Sequence, residues 1–300
     1  MNAVYKRELK AYTHNVYGFL FASVLLLVVG VMVFMINLNP NLLYADMTFA
    51  LQYGEIALLL MVPVLCMRTM SEDRRNKTDM FYLSLPLRTS DVVLGKYFAL
   101  LTVYAVPTLI LCAYPLILGC FGQVNYLHTY LGILMFYLLG ASLMAVCMYV
   151  SSLTAHLVIS AALGVLATLL LYLLPQIAVI LPATPIASYI GFLFLLLLLS
   201  AGVFAFTKSY KVTLITAAAT IVPLSAAFVV TQLLFQNDVL ADAAFENLFP
   251  AFLCNLSPFF QFDGMVNGQL FDLFGLGIML SFIVFFVFLT IQSADKRRWS

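Results

Sequence analysis

The sequence predicts an all-α fold: a polytopic membrane helix bundle of about eight transmembrane helices, with both termini in the cytoplasm. Of its 300 residues, 64% are hydrophobic and 9% are charged, whereas a soluble domain has about a quarter charged residues. The apolar residues form uncharged runs of roughly 20, the length that crosses the hydrocarbon layer as a helix. All fourteen Lys and Arg residues lie in four clusters, which indicates a regular crossing pattern.

Eight runs are long enough to span. They are Val16–Ile36, Phe49–Met67, Tyr97–Phe121, Thr129–Val150, Leu157–Leu174, Ser188–Phe206, Val212–Phe235 and Phe271–Ile291. The first span is expected to act as its own insertion signal, because it is a full span without a cleavage motif.

The basic clusters predict the side of each loop, since Lys and Arg are retained on the cytoplasmic side. An even number of spans places both basic termini on that side. The clusters are Lys6, Arg7 and Lys10; Arg68, Arg74, Arg75, Lys77, Arg88 and Lys96; Lys208 and Lys211; and Lys296, Arg297 and Arg298. The segments without Lys or Arg, placed outside, are residues 37–48, 122–128, 175–187 and 236–270. Residues 1–300 then form a single transmembrane domain, and nothing suggests a nucleic-acid partner.

The first fifteen residues predict an interfacial helix on the inner membrane surface, ahead of the first span. Helical spacing from Ala3 to Tyr17 separates an apolar side from a basic one. The apolar side carries Val4, Leu9, Tyr12 and Val16. A cytoplasmic extension of the first span is the alternative.

Residues 68–96 form the longest cytoplasmic loop. Ser71 is a good N-cap, and the acids and then bases after it suit the dipole of a helix, which ends at Pro86. Ser90 and Asp91 begin a second helix that enters the third span. The apolar run Met80–Leu85 packs on the inner ends of the spans, enters a groove of another protein, or does both.

The outer loop 236–270 contains a stretch, Ala243–Phe262, that is rich in Phe, Leu and Pro but broken by polar residues. It is too interrupted to cross and too apolar to be a free loop. We expect one or two short helices that dip into the outer interface.

Small residues recur every four positions in the fifth span, at Ser160, Gly164 and Thr168. Such a stripe lets helix backbones approach closely in lipid. Packing within the chain is the expectation, and a dimer interface is the alternative.

Glu55 is the charged residue placed clearly inside a span. A charge at the centre of a span costs about 2.5 to 3.5 kcal/mol on insertion scales, although Glu55 lies roughly two turns from the outer end. One hypothesis is that it lines the transport path or contacts another subunit. The other is a boundary residue beside Gln52 and Tyr53.

The cytoplasmic loop resembles the first cytoplasmic loop of the membrane-spanning permeases of type-2 ABC exporters. That loop typically reads Glu-acid-Arg, then Gly or Lys followed by Thr, a Leu-rich turn ending in Pro, and a Gly-Lys entering the third span. The residues that carry the resemblance are Arg68-Thr-Met-Ser-Glu72-Asp-Arg74-Arg-Asn-Lys77-Thr78, Leu83-Ser-Leu85-Pro86 and Gly95-Lys96.

Both ends of the chain resemble the gliding-motility-associated subgroup of these permeases and its relatives in Gram-positive bacteria. The matching residues are Tyr5-Lys-Arg-Glu8, Tyr17-Gly18 and Gln292-Ser-Ala-Asp-Lys296-Arg-Arg-Trp299. The chain departs from the pattern at Lys77, where Gly is common. It also departs in the pair of spans at 188–206 and 212–235, which exceeds the usual six.

The resemblance implies a permease in a bacterial plasma membrane that pairs with a second copy or a paralogue and with cytoplasmic ABC ATPase subunits. Such an exporter can include an auxiliary membrane subunit. The implied coupling helix docks into the ATPase, which binds the ATP and Mg, so that no cofactor is expected in this chain. The implied coupling residues are Glu72, Arg74, Arg75, Lys77, Thr78, Phe81, Tyr82, Leu85 and Pro86.

The sequence carries no phosphate-binding loop, because Gly95-Lys96 lacks the first Gly and the Ser or Thr of that motif. ATP hydrolysis is therefore expected in a partner chain, and this chain is not expected to be an enzyme. The alternative function is a secondary transporter or channel driven by an ion gradient, a class that usually shows several intramembrane ionisable residues or repeats. A substrate is not indicated, since apolar walls fit lipids, peptides and hydrophobic drugs alike.

Overall fold

The computed structural model describes residues 2–37, 47–76, 88–120, 124–182, 184, 188–196, 248–266 and 273–298. These residues form helices and connecting turns, without a strand. In chain order the helices are α1 (Asn2–His14), α2 (Val16–Asn37), α3 (Thr48–Arg75), α4 (Thr89–Leu111), α5 (Tyr114–Leu118), α6 (Tyr126–Leu153), α7 (Leu157–Ile180), α8 (Leu248–Leu256), α9 (Pro258–Val266) and α10 (Leu273–Arg298). Residues 188–196 are also helical.

The predicted all-α membrane bundle is confirmed. In the described part of the chain, six stretches are long and apolar enough to cross a membrane, and they correspond to α2, α3, α4 with α5, α6, α7 and α10. Two further predicted spans remain predictions. The described residues include only the first part of 188–206, and 212–235 lies outside them.

The chain divides into two compact units, Met1–Tyr172 with Pro258–Ser300 and Leu173–Ser257. In the larger unit α6 is the most buried helix, and it packs against α3, α4, α9 and α10. Tyr104 of α4 shows how close this packing is: it is fully buried, stacks on Tyr137 of α6 at 5.1 Å between ring centroids and donates to the carbonyl of Phe136 at 2.8 Å. The smaller unit buries Ala178, Phe249 and Leu253 together.

The N-terminal helix is separate from the first span. Asn15 interrupts the helix between α1 and α2, which contradicts a continuous extension. Of the residues on the predicted apolar side, Val4 and Tyr12 are buried, whereas Val16 begins α2 and is 74% exposed. Helix α1 packs chiefly on α4, where Tyr5 Oη and Thr102 Oγ1 are 3.0 Å apart.

The N-cap predicted at Ser71 is wrong, because α3 continues without a break to Arg75. Ser71 is buried inside the helix, and its hydroxyl donates to the carbonyl of Met67. Its N–H lies 3.2 Å from Ser151 Oγ of α6. The local sequence suits a cap, but packing against α6 and bonding back to the preceding turn decide the conformation.

The predicted end of the fifth span at Leu174 is also wrong. Helix α7 continues through Pro175 to Ile180, so the segment predicted as outer loop begins later. A proline within a membrane helix is tolerated where neighbouring groups satisfy the freed carbonyl. Two short helices, α8 and α9, lie where the sequence predicts one or two within 243–262, and their place at the outer interface stays a prediction.

The small-residue stripe of α7 contacts α3, as expected for packing within the chain. A Cβ at Gly164 would lie 3.0 Å from Pro63 Cβ. Thr168 Oγ1 donates to the carbonyl of Leu59 at 3.1 Å. In the structure, the small residues of this stripe therefore let the backbones of α7 and α3 approach closely.

Candidate functional site

A polar network joins the helix ends at one end of the larger unit, which we call the basic end. Here α1, the C-terminal ends of α3, α6 and α10, and the N-terminal end of α4 meet. Three of the four basic clusters contribute described residues to these helices. The third cluster, Lys208 and Lys211, lies outside the described residues.

Lys96 of α4 is the centre of this network. Its side chain is 2% exposed and forms ion pairs with Asp73 of α3 and, at 3.9 Å, with Glu8 of α1. It also donates to the carbonyl of Thr69. A buried ammonium needs such partners, because removing a charge from water is costly unless it is paired and hydrogen-bonded. One side chain thereby ties α1, α3 and α4 together.

The pKa of the Glu8 carboxyl depends on both the burial and the charges of this site. Burial raises its pKa, and the Lys96 ammonium opposes that rise by favouring the charged form. Asp73 and Glu72 add to the rise, while Arg7 opposes it. The site is therefore one in which acids and bases balance one another away from bulk water.

Arg68 forms a second link on the same face. It makes a bidentate pair with Glu72, with Nε–Oε2 at 2.7 Å and Nη2–Oε1 at 2.8 Å. Its guanidinium also lies 4.7 Å from the ring centroid of Tyr17 in α2, a cation–π contact. The bidentate geometry fixes Glu72 more firmly than a single contact would.

The ends of α6 and α10 complete the network through hydroxyl groups. Ser151 Oγ accepts from the N–H groups of Met70 and Ser71 at 3.3 and 3.2 Å and donates to Met67 at 3.2 Å. Ser152 and Ser293 are 3.1 Å apart at their hydroxyl oxygens. Thr89 of α4 donates to Asp295 of α10, so all five helix ends are connected.

A polar cavity of about 150 Å³ opens within the network. Its walls come from α1, from α3 with Asn76, from Lys96 of α4, and from Asn15. The lining residues are Arg7, Glu8, Ala11, Tyr12, Asn15, Arg68, Thr69, Glu72, Asp73, Asn76 and Lys96. An apolar groove of about 270 Å³, lined by α1, α2 and α4, lies on the other side of Tyr12.

The structure places three of the implied coupling residues. Glu72, Arg74 and Arg75 occupy the last turn of α3 rather than a separate helix, and Glu72 joins the network. Arg74 Nη2 is buried and has no hydrogen-bond partner in the described part of the chain. Lys77, Thr78, Phe81, Tyr82, Leu85 and Pro86 lie outside the described residues.

Glu55 lies toward the opposite end of α3 and is 2% exposed, so its side chain lies inside the protein. Asp263 of α9 interacts with it electrostatically. Asp263 Oδ1 accepts from Gln52 Nε2 at 2.8 Å. Glu55 and the three described coupling residues thus belong to opposite ends of one helix.

Sequence reasoning missed the partners of Lys96, Ser151 and Asp263. The Gly-Lys pair before the third span was visible as part of a motif, but its acceptors lie on two other helices. Ser151 contacts residues about eighty positions away in the sequence. A local sequence pattern does not predict contacts between residues so far apart in the chain.

Comparison with known proteins gives one match. Residues 19–199 match the family model described as ABC-2 family transporter protein. The matched span is more than half of the chain and runs from α2 through α7 beyond residue 196. No curated protein matches the chain, and no solved structure does.

Proposed function

Because this chain belongs to the ABC-2 family of transporter proteins, we propose that it is the transmembrane permease subunit of an ATP-driven ABC exporter. In this proposal it forms the substrate path in a bacterial plasma membrane. ATP and Mg are bound by separate cytoplasmic ABC ATPase subunits. A second permease, either another copy or a paralogue, completes the transporter, and an auxiliary membrane subunit can join it.

The observation that carries the proposal is the network at the basic end. Positive charges are retained on the cytoplasmic side of a bilayer, so this end faces the ATPase. The chain leaves α3 at Asn76 and re-enters the described structure at Arg88, and both residues border the network. A force that the ATPase exerts on residues 77–87 would be transmitted to α1, α3 and α4 through the ion pairs of Lys96.

The composition of the coupling segment supports docking at this place. Phe81 and Tyr82 are the aromatic anchors that dominate protein interfaces, and the neighbouring charges steer association.

The finer assignment rests on the chain ends. Helix α1, with Tyr5 and Glu8, precedes the matched span 19–199, and the last turns of α10 follow it. We assign the chain to the gliding-motility-associated subgroup and its Gram-positive relatives on these two ends. The packing of α1 on α4 supports a role of α1 in the permease itself.

The test is affinity purification of the tagged full chain from native membranes in mild detergent, followed by identification of bound ATPase. The double change Phe81→Ala and Tyr82→Ala is expected to lose the ATPase. Phe34→Ala is the matched control, since Phe34 is a 65% exposed aromatic residue of α2 away from the coupling loop, and it should retain the ATPase.

Two outcomes would contradict the proposal at different levels. If the unchanged chain brings down no ATPase and its transport follows a proton or sodium gradient, the chain is a secondary transporter instead. If the double variant still binds the ATPase as well as Phe34→Ala does, the docking segment has been placed wrongly.

A further inference from the structure

A buried carboxyl pair lies toward the end of the larger unit opposite the basic end. Glu55 of α3 is 2% exposed, and its Oε1 has no hydrogen-bond partner in the described structure. Asp263 of α9 is half-buried and interacts electrostatically with Glu55. The two acids come from chain positions more than two hundred residues apart, so the fold itself creates the pair.

Among the described residues, no positively charged group acts on Glu55. Asp263 from α9 and Tyr172 from α7 are the described titratable groups that interact with it electrostatically. Toward α2 and α6 the helix is apolar: at the neighbouring Gly54 the nearest groups are Val29 and Phe136. The ion pairs among the described residues all lie at the basic end and involve Arg68 or Lys96.

An ionised Glu55 would therefore be an unpaired charge in an apolar environment beside a second acid. Burying a carboxylate without a partner costs several kcal/mol in proteins, so that such a group takes up a proton instead. Two carboxyl groups at one site do not both ionise readily, because their negative charges repel each other. They share protons instead.

The two acids differ in how well they can carry the remaining charge. Asp263 accepts a hydrogen bond from the Gln52 amide at 2.8 Å, and a donor of this kind favours the ionised form. Burial still raises the pKa of the Asp263 carboxyl, and Gln52 offsets part of that rise. Glu55 is 2% exposed and its Oε1 has no donor in the described part of the chain, which makes it the better site for a proton.

We propose that Glu55 and Asp263 form a proton-binding pair in which Glu55 holds the proton while the helices are packed as observed. Asp263, which is partly exposed, is the route by which this proton exchanges with water. On release the Glu55 carboxyl gives its proton to the Asp263 carboxylate once the two groups reach hydrogen-bond contact, and Asp263 then gives it up to water. The site is a property of the chain and does not rest on an ATPase partner.

The test uses dicyclohexylcarbodiimide, which reacts with protonated carboxyl groups in apolar surroundings. The full chain in lipid nanodiscs is treated over a pH series, and the modified residue is located by mass spectrometry of its peptides. We expect label on Glu55 at neutral pH and loss of that label at higher pH. Glu72, paired with Arg68, should stay unlabelled in the same sample and is the internal control.

Two variants test whether Glu55 is the labelled residue and whether Asp263 affects its protonation. Glu55→Gln should abolish the label and keep the melting temperature, because glutamine has the shape of a protonated glutamate. Asp263→Asn should shift the loss of label from Glu55 to lower pH, because the neighbouring negative charge that favours the proton is gone.

The absence of label on Glu55 throughout the pH series would overturn the proposal, and this result needs no variant. An unchanged pH dependence in Asp263→Asn would show that the two acids are not a pair. Neither result would bear on whether the chain couples to an ATPase, since the assay contains none.

Discussion

At the residue scale, Lys96 accounts for how α1, α3 and α4 meet at the basic end. Its ammonium is 2% exposed and faces Asp73, Glu8 and the carbonyl of Thr69. A single basic residue could have extended to the water interface, as lysines near helix ends commonly do. In this chain the acids of two other helices hold it inside the protein.

Replacement of Lys96 by Met is expected to lower the free energy of unfolding by about 3 kcal/mol, because it removes the buried ammonium from its ion pairs with Asp73 and Glu8. Thermal unfolding of the purified chain in detergent measures the change. The double variant with Asp73→Asn should be less destabilised than the sum of the two single variants. Strict additivity would mean that the ion pair contributes nothing of its own.

At the scale of the element, α4 and α6 approach so closely that a glycine is required between them. A Cβ at Gly140 of α6 would overlap the ring of Tyr104. That ring is also in edge contact with Phe21 of α2, at 5.8 Å between centroids. It cannot move aside without disturbing three helices.

Gly140→Ala is accordingly expected to destabilise the bundle by about 2 kcal/mol, the usual size of an overpacking effect. Gly277→Ala in α10 is the matched control, because a Cβ there meets nothing within 4 Å, and alanine is the better helix former. The melting temperatures of the two variants should differ in opposite directions from the unchanged chain. A tolerated Gly140→Ala would show that the Tyr104 ring can relocate.

The elements were predictable from sequence to the extent that they depend on local composition. The positions of six spans and of the short outer helices follow from hydropathy and interruption, which are properties of the segments themselves. The ends at Ser71 and Leu174 could not be predicted in the same way. Ser71 suits a cap and a helix interior about equally, and the contact that decides, Ser151, lies on another helix.

The candidate site was predictable only in part for the same reason. The last turn of α3 could be predicted as part of a site, because acids, bases and a family motif coincide there. The partners of Lys96 and Glu55 required the fold, since α1 and α9 come from opposite ends of the chain. For Glu55 the sequence left two interpretations open, and both stay predictions, since burial inside the protein does not place the membrane boundary.

At the scale of the whole molecule, the helix ends agree with the alternation of loops. The termini of α1 and α10 lie at the basic end, where Lys96 reaches Glu8 and Thr89 reaches Asp295. The start of α6, with its cap residue Asn125, lies at the other end of that helix from Ser151. The directions of α4, α6 and α10 are thereby fixed relative to one another.

Labelling with a membrane-impermeant maleimide is expected to reproduce this arrangement in a variant without its five native cysteines. In intact cells Leu127→Cys, at the start of α6, should react from outside. Lys10→Cys and Lys296→Cys should react only after the cells are opened, because basic segments stay in the cytoplasm. Reaction of Lys296→Cys in intact cells would contradict the predicted sidedness of α10.

Helix α3 carries Glu55 toward one end and Asp73 at the other, and their separation of eighteen positions is about five turns of an ideal helix. The two acids therefore project on the same side, about 27 Å apart along the axis. One residue more or fewer between them would rotate one acid by roughly 100° relative to the other, separating Glu55 from Asp263 or Asp73 from Lys96. Relatives that keep both contacts can differ in sequence along α3, but they cannot differ by a single insertion or deletion there.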